Sequence, residues 1–123
     1  MAPDVVRSLI ERAAASWIKG DAKAFAALFT PDGEFVVPGQ HLMGRGAIEK
    51  VASEFATSHA QVNIRIQRII IDHLQAVVEW QWEETENSTG KQTRADDAIV
   101  IDFVDGHIKR WREYIDSETP QVN

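Results

Sequence analysis

The spacing of apolar positions changes once along the chain, and the change divides it in two. In the first part Val6, Leu9, Ile10, Ala13, Trp17 and Ile18 recur at intervals of three and four, the signature of one helix face. That predicts a helix over 4–19, with Asp4 capping its start and Gly20 its end. Asp21 then caps a short alanine-rich helix whose Phe25, Leu28 and Phe29 turn inward. Thr30-Pro31-Asp32-Gly33 reads as a turn, 34–37 as a short strand stopped by Pro38-Gly39, and 40–45 as a loop. A third helix over 46–57 carries Ile48, Val51, Ala52 and Phe55 on one face. From Gln61 the period becomes two: Val62, Ile64 and Ile66 alternate with Asn63, Arg65 and Gln67. Strands follow over 74–86, 91–104 and 107–116, with turns at Asn87-Ser88-Thr89-Gly90 and Asp105-Gly106. Helices first and an antiparallel meander second make the fold class α+β.

Parity sorts the last three strands into faces. Leu74, Ala76, Val78, Trp80 and Trp82 share one. Asp97, Ile99, Ile101 and Phe103 share another, and so do Trp111, Glu113 and Ile115, with Arg110, Arg112 and Tyr114 opposite. A four-residue turn at 87–90 sets Trp82 against Ala95, Trp80 against Asp97 and Val78 against Ile99. For the last hairpin, a two-residue turn places Arg110 and Arg112 against Ile101 and Ile99 on the buried face, which is costly. A three-residue loop, Val104-Asp105-Gly106, avoids this and predicts the rung Trp80–Asp97–Glu113. Two carboxyl groups then become direct neighbours between apolar walls, where burial and like charge raise both pKa values. That is an arrangement suited to acid–base chemistry.

Composition narrows the partners. The net charge is −6 and the pI about 5.1, with no basic stripe, which argues against nucleic acid. With no cysteine there is neither a disulfide nor a thiolate metal site, which fits a cytoplasmic setting. No apolar run reaches a membrane span, and Met1-Ala2-Pro3-Asp4 lacks the basic and apolar regions of a signal peptide. One domain over 1–123 is expected, with 117–123 as a loose tail. His41, His59, His73 and His107 show no metal spacing, so no metal is expected; His41, in the loop before the third helix, is placed to reach a pocket mouth.

Several segments carry a resemblance: Gly20-Asp21 with Phe25 and Leu28-Phe29, Pro31-Asp32-Gly33, Gly44-Arg45-Gly46-Ala47-Ile48, and above all the closing stretch from Asp105 to Asp116. Over nearly its whole length the chain resembles the SnoaL-like branch of the nuclear-transport-factor-2-like superfamily, which includes limonene epoxide hydrolase, ketosteroid isomerase and polyketide cyclases. The resemblance implies a cystatin-like cone, three N-terminal helices packed on a curved, mainly antiparallel sheet around a pocket, and a homodimer through the outer sheet face. The relatives' catalytic residues do not carry over. The epoxide hydrolase Arg-x-Asp positions hold Trp80 and Trp82, its water-holding Tyr and Asn fall on Phe35 and Val37, and the ketosteroid isomerase base falls on Val37. Only the last-strand acid is kept, as Glu113.

These readings give a pocket protein for a small, largely apolar organic molecule. Asp97 and Glu113 are the candidate catalytic pair, and Trp80, Trp82, Trp111, Phe35, Val37, Ile99, Ile115 and His41 the candidate ligand contacts. The chemistry is of isomerase, cyclase or hydrolase type and requires no cofactor. A non-catalytic ligand-binding or dimerisation module of the same fold is the alternative.

Overall fold

In the computed structural model, which describes residues 1–120, the order is α1 (Pro3–Lys19), α2 (Ala22–Ala27), β1 (Phe29–Val37), β2 (Gln40–Met43), α3 (Arg45–Ser58), β3 (His59–Asp72), β4 (Gln75–Glu86), β5 (Gln92–Val104) and β6 (His107–Asp116). Of the expected loose tail 117–123, the last three residues lie outside the described ones. The strands form one six-stranded sheet in the order β2-β1-β6-β5-β4-β3. Every neighbouring pair is antiparallel except β1 with β6. This is the α+β class expected, with helices packed on a mostly antiparallel sheet.

Local chemistry sets the boundaries. Helix α1 begins one residue earlier than its periodicity predicts. Pro3 occupies the first turn, where its missing N–H costs nothing, and Asp4 sits inside that turn instead of capping it. Gly20 ends the helix in the left-handed region, φ 70°, and the Asp21 side chain accepts from the Ala24 N–H at 3.0 Å to start α2. Val6, Leu9, Ile10 and Ala13 of α1, Phe25 of α2, and Ile48 and Ala52 of α3 are buried with Val78, Trp80, Ile99, Ile101, Ile108 and Trp111 of the sheet in one core.

The segment around β1 and β2 differs from its expectation. The predicted turn at 30–33 lies within β1, as an irregularity between the Phe29 and Glu34 pairings to β6. The predicted loop 40–45 is largely strand β2, paired to β1 across a Pro38-Gly39 turn, with Val37 opposite Gln40. Gly39 takes φ 83° there, a conformation glycine adopts without strain. Gln40, Leu42 and Met43 are helix formers by intrinsic preference, so only pairing to β1 reveals the strand.

The β4–β5 hairpin has the predicted register: Trp82 opposite Ala95, Trp80 opposite Asp97, Val78 opposite Ile99. The β5–β6 hairpin does not. Its turn is the two-residue Asp105-Gly106, with positive φ at both positions (48° and 77°) and Val104 opposite His107, the type I′ pattern. A bulge at Lys109 then leaves Phe103 opposite Ile108 but Asp102 opposite Arg110. The extra residue restores parity, so Arg110 and Arg112 stay off the buried face without the longer loop. The pairing is therefore displaced by two residues from the predicted one. Ile99 faces Glu113 and Asp97 faces Ile115, and the rung Trp80–Asp97–Glu113 does not exist. A comparable bulge in β3 between Ile66 and Arg68 keeps Ile64, Ile66, Ile69 and Ile71 on the helix-covered side and turns Ile70 out to 53% exposure.

Candidate functional site

Between α1, α3 and the inner face of the sheet lies a cavity of about 310 Å³. Trp17 of α1 and Val51 and Phe55 of α3 form one wall. Phe35, Val37 and Gln40 come from the first hairpin, Trp82 and Glu84 from β4, Thr93, Ala95 and Asp97 from β5, and Glu113, Ile115 and Ser117 from the last strand and beyond. Apolar and aromatic groups dominate, with a few polar groups converging among them, as in small-molecule sites.

Asp97 and Glu113 are buried, 4% and 7% exposed, although neither has a cationic partner among the described residues. Each is held by one indole instead. Trp80 Nε1 donates to Asp97 Oδ2 at 2.9 Å, and Trp111 Nε1 donates to Glu113 Oε1 at 2.9 Å. Those two tryptophans are the sheet's largest fully buried side chains. Their ring centroids lie 5.6 Å apart. Asp97 Oδ1, by contrast, is buried with no hydrogen-bond partner among the described residues.

Burial dominates the electrostatics. Desolvation pushes the Glu113 carboxyl up to about 8, with the Asp97 charge adding to it and the Trp111 N–H opposing. Desolvation also pushes Asp97 up to about 6, opposed by the Trp80 N–H and reinforced by Asp96 and Glu84. A carboxyl near 6 and a carboxyl near 8 stand on either side of neutral pH, one mainly ionised and one mainly protonated.

Of the residues singled out from sequence, Asp97, Glu113, Phe35, Val37, Trp82 and Ile115 line this cavity. Trp80, Trp111 and Ile99 are 1%, 0% and 0% exposed and belong to the core, not to the cavity lining where ligand contacts were expected. His41 does not reach it. Because Gln40–Met43 is a strand, His41 pairs opposite Val36 and meets Glu34, which also engages Arg110 at 3.3 Å. That cluster lies away from the cavity lining. The direct Asp97–Glu113 pairing is likewise replaced by a diagonal one.

Eight lining residues were not singled out from sequence, Glu84, Thr93, Trp17 and Phe55 among them. Glu84 shares the inward parity of Trp82, and that parity was signal enough to find it. Its Oε1 accepts from Trp82 Nε1 at 2.9 Å and its Oε2 meets His59 Nε2 at 2.6 Å. Thr93 lies opposite Glu84. The helical spacing places Trp17 and Phe55 on apolar helix faces. They meet Trp82 edge to face, at 5.7 and 5.6 Å, and Phe55 stacks on His59 at 3.9 Å. Among the described residues no group of three His, Cys, Asp or Glu side chains is arranged to hold a metal. No helix is long and apolar enough to cross a membrane.

Comparison with known proteins adds the family. The chain is similar in structure to a hypothetical protein with a ketosteroid isomerase-like fold from Catenulispora acidiphila, crystallised in complex with trimethylamine (TM-score 0.80, 18% identity, covering 93% of this chain and 86% of that one). It is also similar to TsrD from Streptomyces laurentii (TM-score 0.83, 13% identity, 94% and 91%) and to an NTF2-like protein from Anabaena variabilis (TM-score 0.82, 21% identity, 94% and 89%). At these identities the likeness carries the fold alone. No curated protein matches the sequence. The sequence model of the SnoaL-like domain matches residues 10–111, and the chain belongs to that family.

Proposed function

We propose that the cavity binds a small, largely apolar organic molecule and that Asp97 and Glu113 move a proton on it without a cofactor. The observation that carries this reading is the pair itself: two buried carboxyl groups lining one cavity, each fixed by an indole N–H and neither neutralised by a cation. Leaving such groups in an apolar wall costs several kcal/mol unless a ligand uses them.

The roles follow from the shifts. Asp97, pushed up to about 6, is ionised at neutral pH and keeps Oδ1 free to accept a proton. Glu113, pushed up to about 8, holds its proton and donates a hydrogen bond to an oxygen on which charge develops. Abstraction of a proton beside a carbonyl, with stabilisation of the enolate oxygen, is the step these two groups support; it underlies isomerisations and cyclisations. A protein of similar fold was crystallised in complex with trimethylamine, a small organic molecule, which fits a small-molecule role.

The alternative, a non-catalytic ligand-binding or dimerisation module, draws support from Val37 and Trp82, which are apolar where the related enzymes place catalytic groups. One experiment separates the two. Small cyclic ketones incubated with the protein in D₂O exchange their α-protons, followed by NMR, and Asp97→Asn slows the exchange by roughly 10²–10⁴-fold. A rate equal to buffer for the wild-type chain defeats the catalytic reading.

The homodimer belongs to the same proposal. The outer face carries a hollow of about 740 Å³ lined by Arg65, Glu79, Asp96 and Tyr114 among others. Beside it the Arg112 guanidinium lies 4.7 Å over the Tyr114 ring. A second copy meeting this face would cover Tyr114, which is 54% exposed.

A further inference from the structure

We infer that the molecule bound in the cavity carries a positively charged nitrogen. The inference rests on the reading of this cavity as a ligand site and names the ligand class. Three observations carry it: the charge of the lining, the aromatic wall, and one unsatisfied buried oxygen.

Among the described residues, three acidic side chains line the cavity, Asp97, Glu113 and Glu84, and no lysine or arginine does. An anion entering would meet the carboxylates of Asp97 and Glu84, with no lysine or arginine lining the cavity to offset them. A neutral carbonyl compound would satisfy the Glu113 proton and nothing else. A cation instead offsets the charge of ionised Asp97, on which the nearby Glu84 charge also bears.

The register gives this lining a length. Glu84 and Trp80 are four residues apart on β4, about 13 Å of strand, and Asp97 stands opposite Trp80. Trp82 lies between, with Trp17 and Phe55 against it. A cavity of about 310 Å³ holds roughly ten waters at about 30 Å³ each, hence a ligand of roughly ten non-hydrogen atoms. Aromatic faces attract ammonium groups, most strongly where water is excluded. They do so without hydrogen bonds, so a fully substituted nitrogen is held as well as a protonated amine.

The unsatisfied oxygen is Asp97 Oδ1, buried in a residue 4% exposed. Its partner atom Oδ2 is already occupied by Trp80, which leaves Oδ1 as the unpaired carboxyl oxygen of a side chain that lines the cavity. A cation beside it also suits the proposed chemistry. Positive charge on the substrate keeps Asp97 ionised and acidifies neighbouring C–H bonds, which makes a carboxylate a competent base.

Choline and 3,3-dimethylbutan-1-ol have the same shape and differ in charge, and they provide the test. Both are titrated into the wild-type chain at neutral pH, with binding read by calorimetry and by quenching of tryptophan fluorescence; cyclohexanone serves as a neutral probe of the cavity. Choline binding at least tenfold more tightly than its neutral isostere supports the inference, and loss of that preference in Asp97→Asn, checked for folding by circular dichroism, locates it. Equal or tighter binding of the neutral isostere overturns the inference and leaves the cavity reading intact. Failure of all three compounds to bind removes both. Because the decisive comparison uses the wild-type chain, it stands even if the variant does not fold.

Discussion

Asp97 and Glu113 are diagonal neighbours across β5 and β6, Asp97 opposite Ile115 and Glu113 opposite Ile99. Direct opposites in a sheet hold their Cβ atoms about 4.5–5.5 Å apart, whereas diagonal positions are about 7–8 Å apart. Two carboxyls on one rung would share a proton. On the diagonal each keeps its own indole donor, and a substrate atom can stand between them. The two-residue turn and the bulge at Lys109 create this spacing together: each moves the pairing by one residue, and the sum of two leaves both acids on the covered face.

Replacing Glu113 by Gln stabilises the protein at alkaline pH. The folded chain holds this proton up to about pH 8, whereas an ordinary glutamate releases it near 4.5. The penalty is thus absent below about pH 4.5, grows as pH rises through that window and is complete above about 8. Glu113→Gln keeps an oxygen for the Trp111 N–H. Thermal melts of both forms should nearly coincide at pH 4.5 and differ by on the order of 5 kcal/mol at pH 8.5, the variant being more stable.

Trp80→Phe removes the N–H that favours ionised Asp97. The Asp97 carboxyl, already at about 6, moves higher, since losing a donor to the charged form raises a pKa. Global stability falls by about 1–3 kcal/mol for the lost volume and hydrogen bond. Chemical denaturation measures the second effect and a pH titration of the Asp97 carboxyl carbon the first.

Much of this was legible in the chain. Period-two alternation assigned Asp97 and Glu113 to the covered side, because parity survives a register shift of two. What it could not supply was the bulge. A β-bulge leaves no compositional mark at Lys109, and the cost of burying Arg110 and Arg112 has two remedies, a longer loop or an extra residue within the strand. His41 failed for a related reason: a four-residue edge strand has too few positions to show a period, and its pairing to β1 determines which way the histidine points. Trp17 and Phe55 were visible as apolar helix positions, but a helix face does not reveal whether it meets a core or a cavity.

Arg112→Glu produces monomers with the cavity intact. The substitution places a carboxylate over the Tyr114 ring in place of the guanidinium and reverses charge on the outer face. Sedimentation velocity should show a dimer for the wild-type chain and a monomer for the variant, with an unchanged near-ultraviolet circular dichroism spectrum.

Gly33→Ala destabilises the β1 irregularity. A Cβ there would lie 2.9 Å from both Cβ and Cδ2 of Phe29, a residue with no exposure and little room to yield. Thermal unfolding should register a loss of about 1–3 kcal/mol.

The most direct measurement is a ¹³C-NMR pH titration of carboxyl-labelled protein. Two carboxyl resonances should titrate well above the rest, one near 6 that disappears in Asp97→Asn and one near 8 that disappears in Glu113→Gln. If every carboxyl instead titrates below pH 5, the two acids are hydrated and independent, and the buried pair on which the proposed chemistry depends is not there.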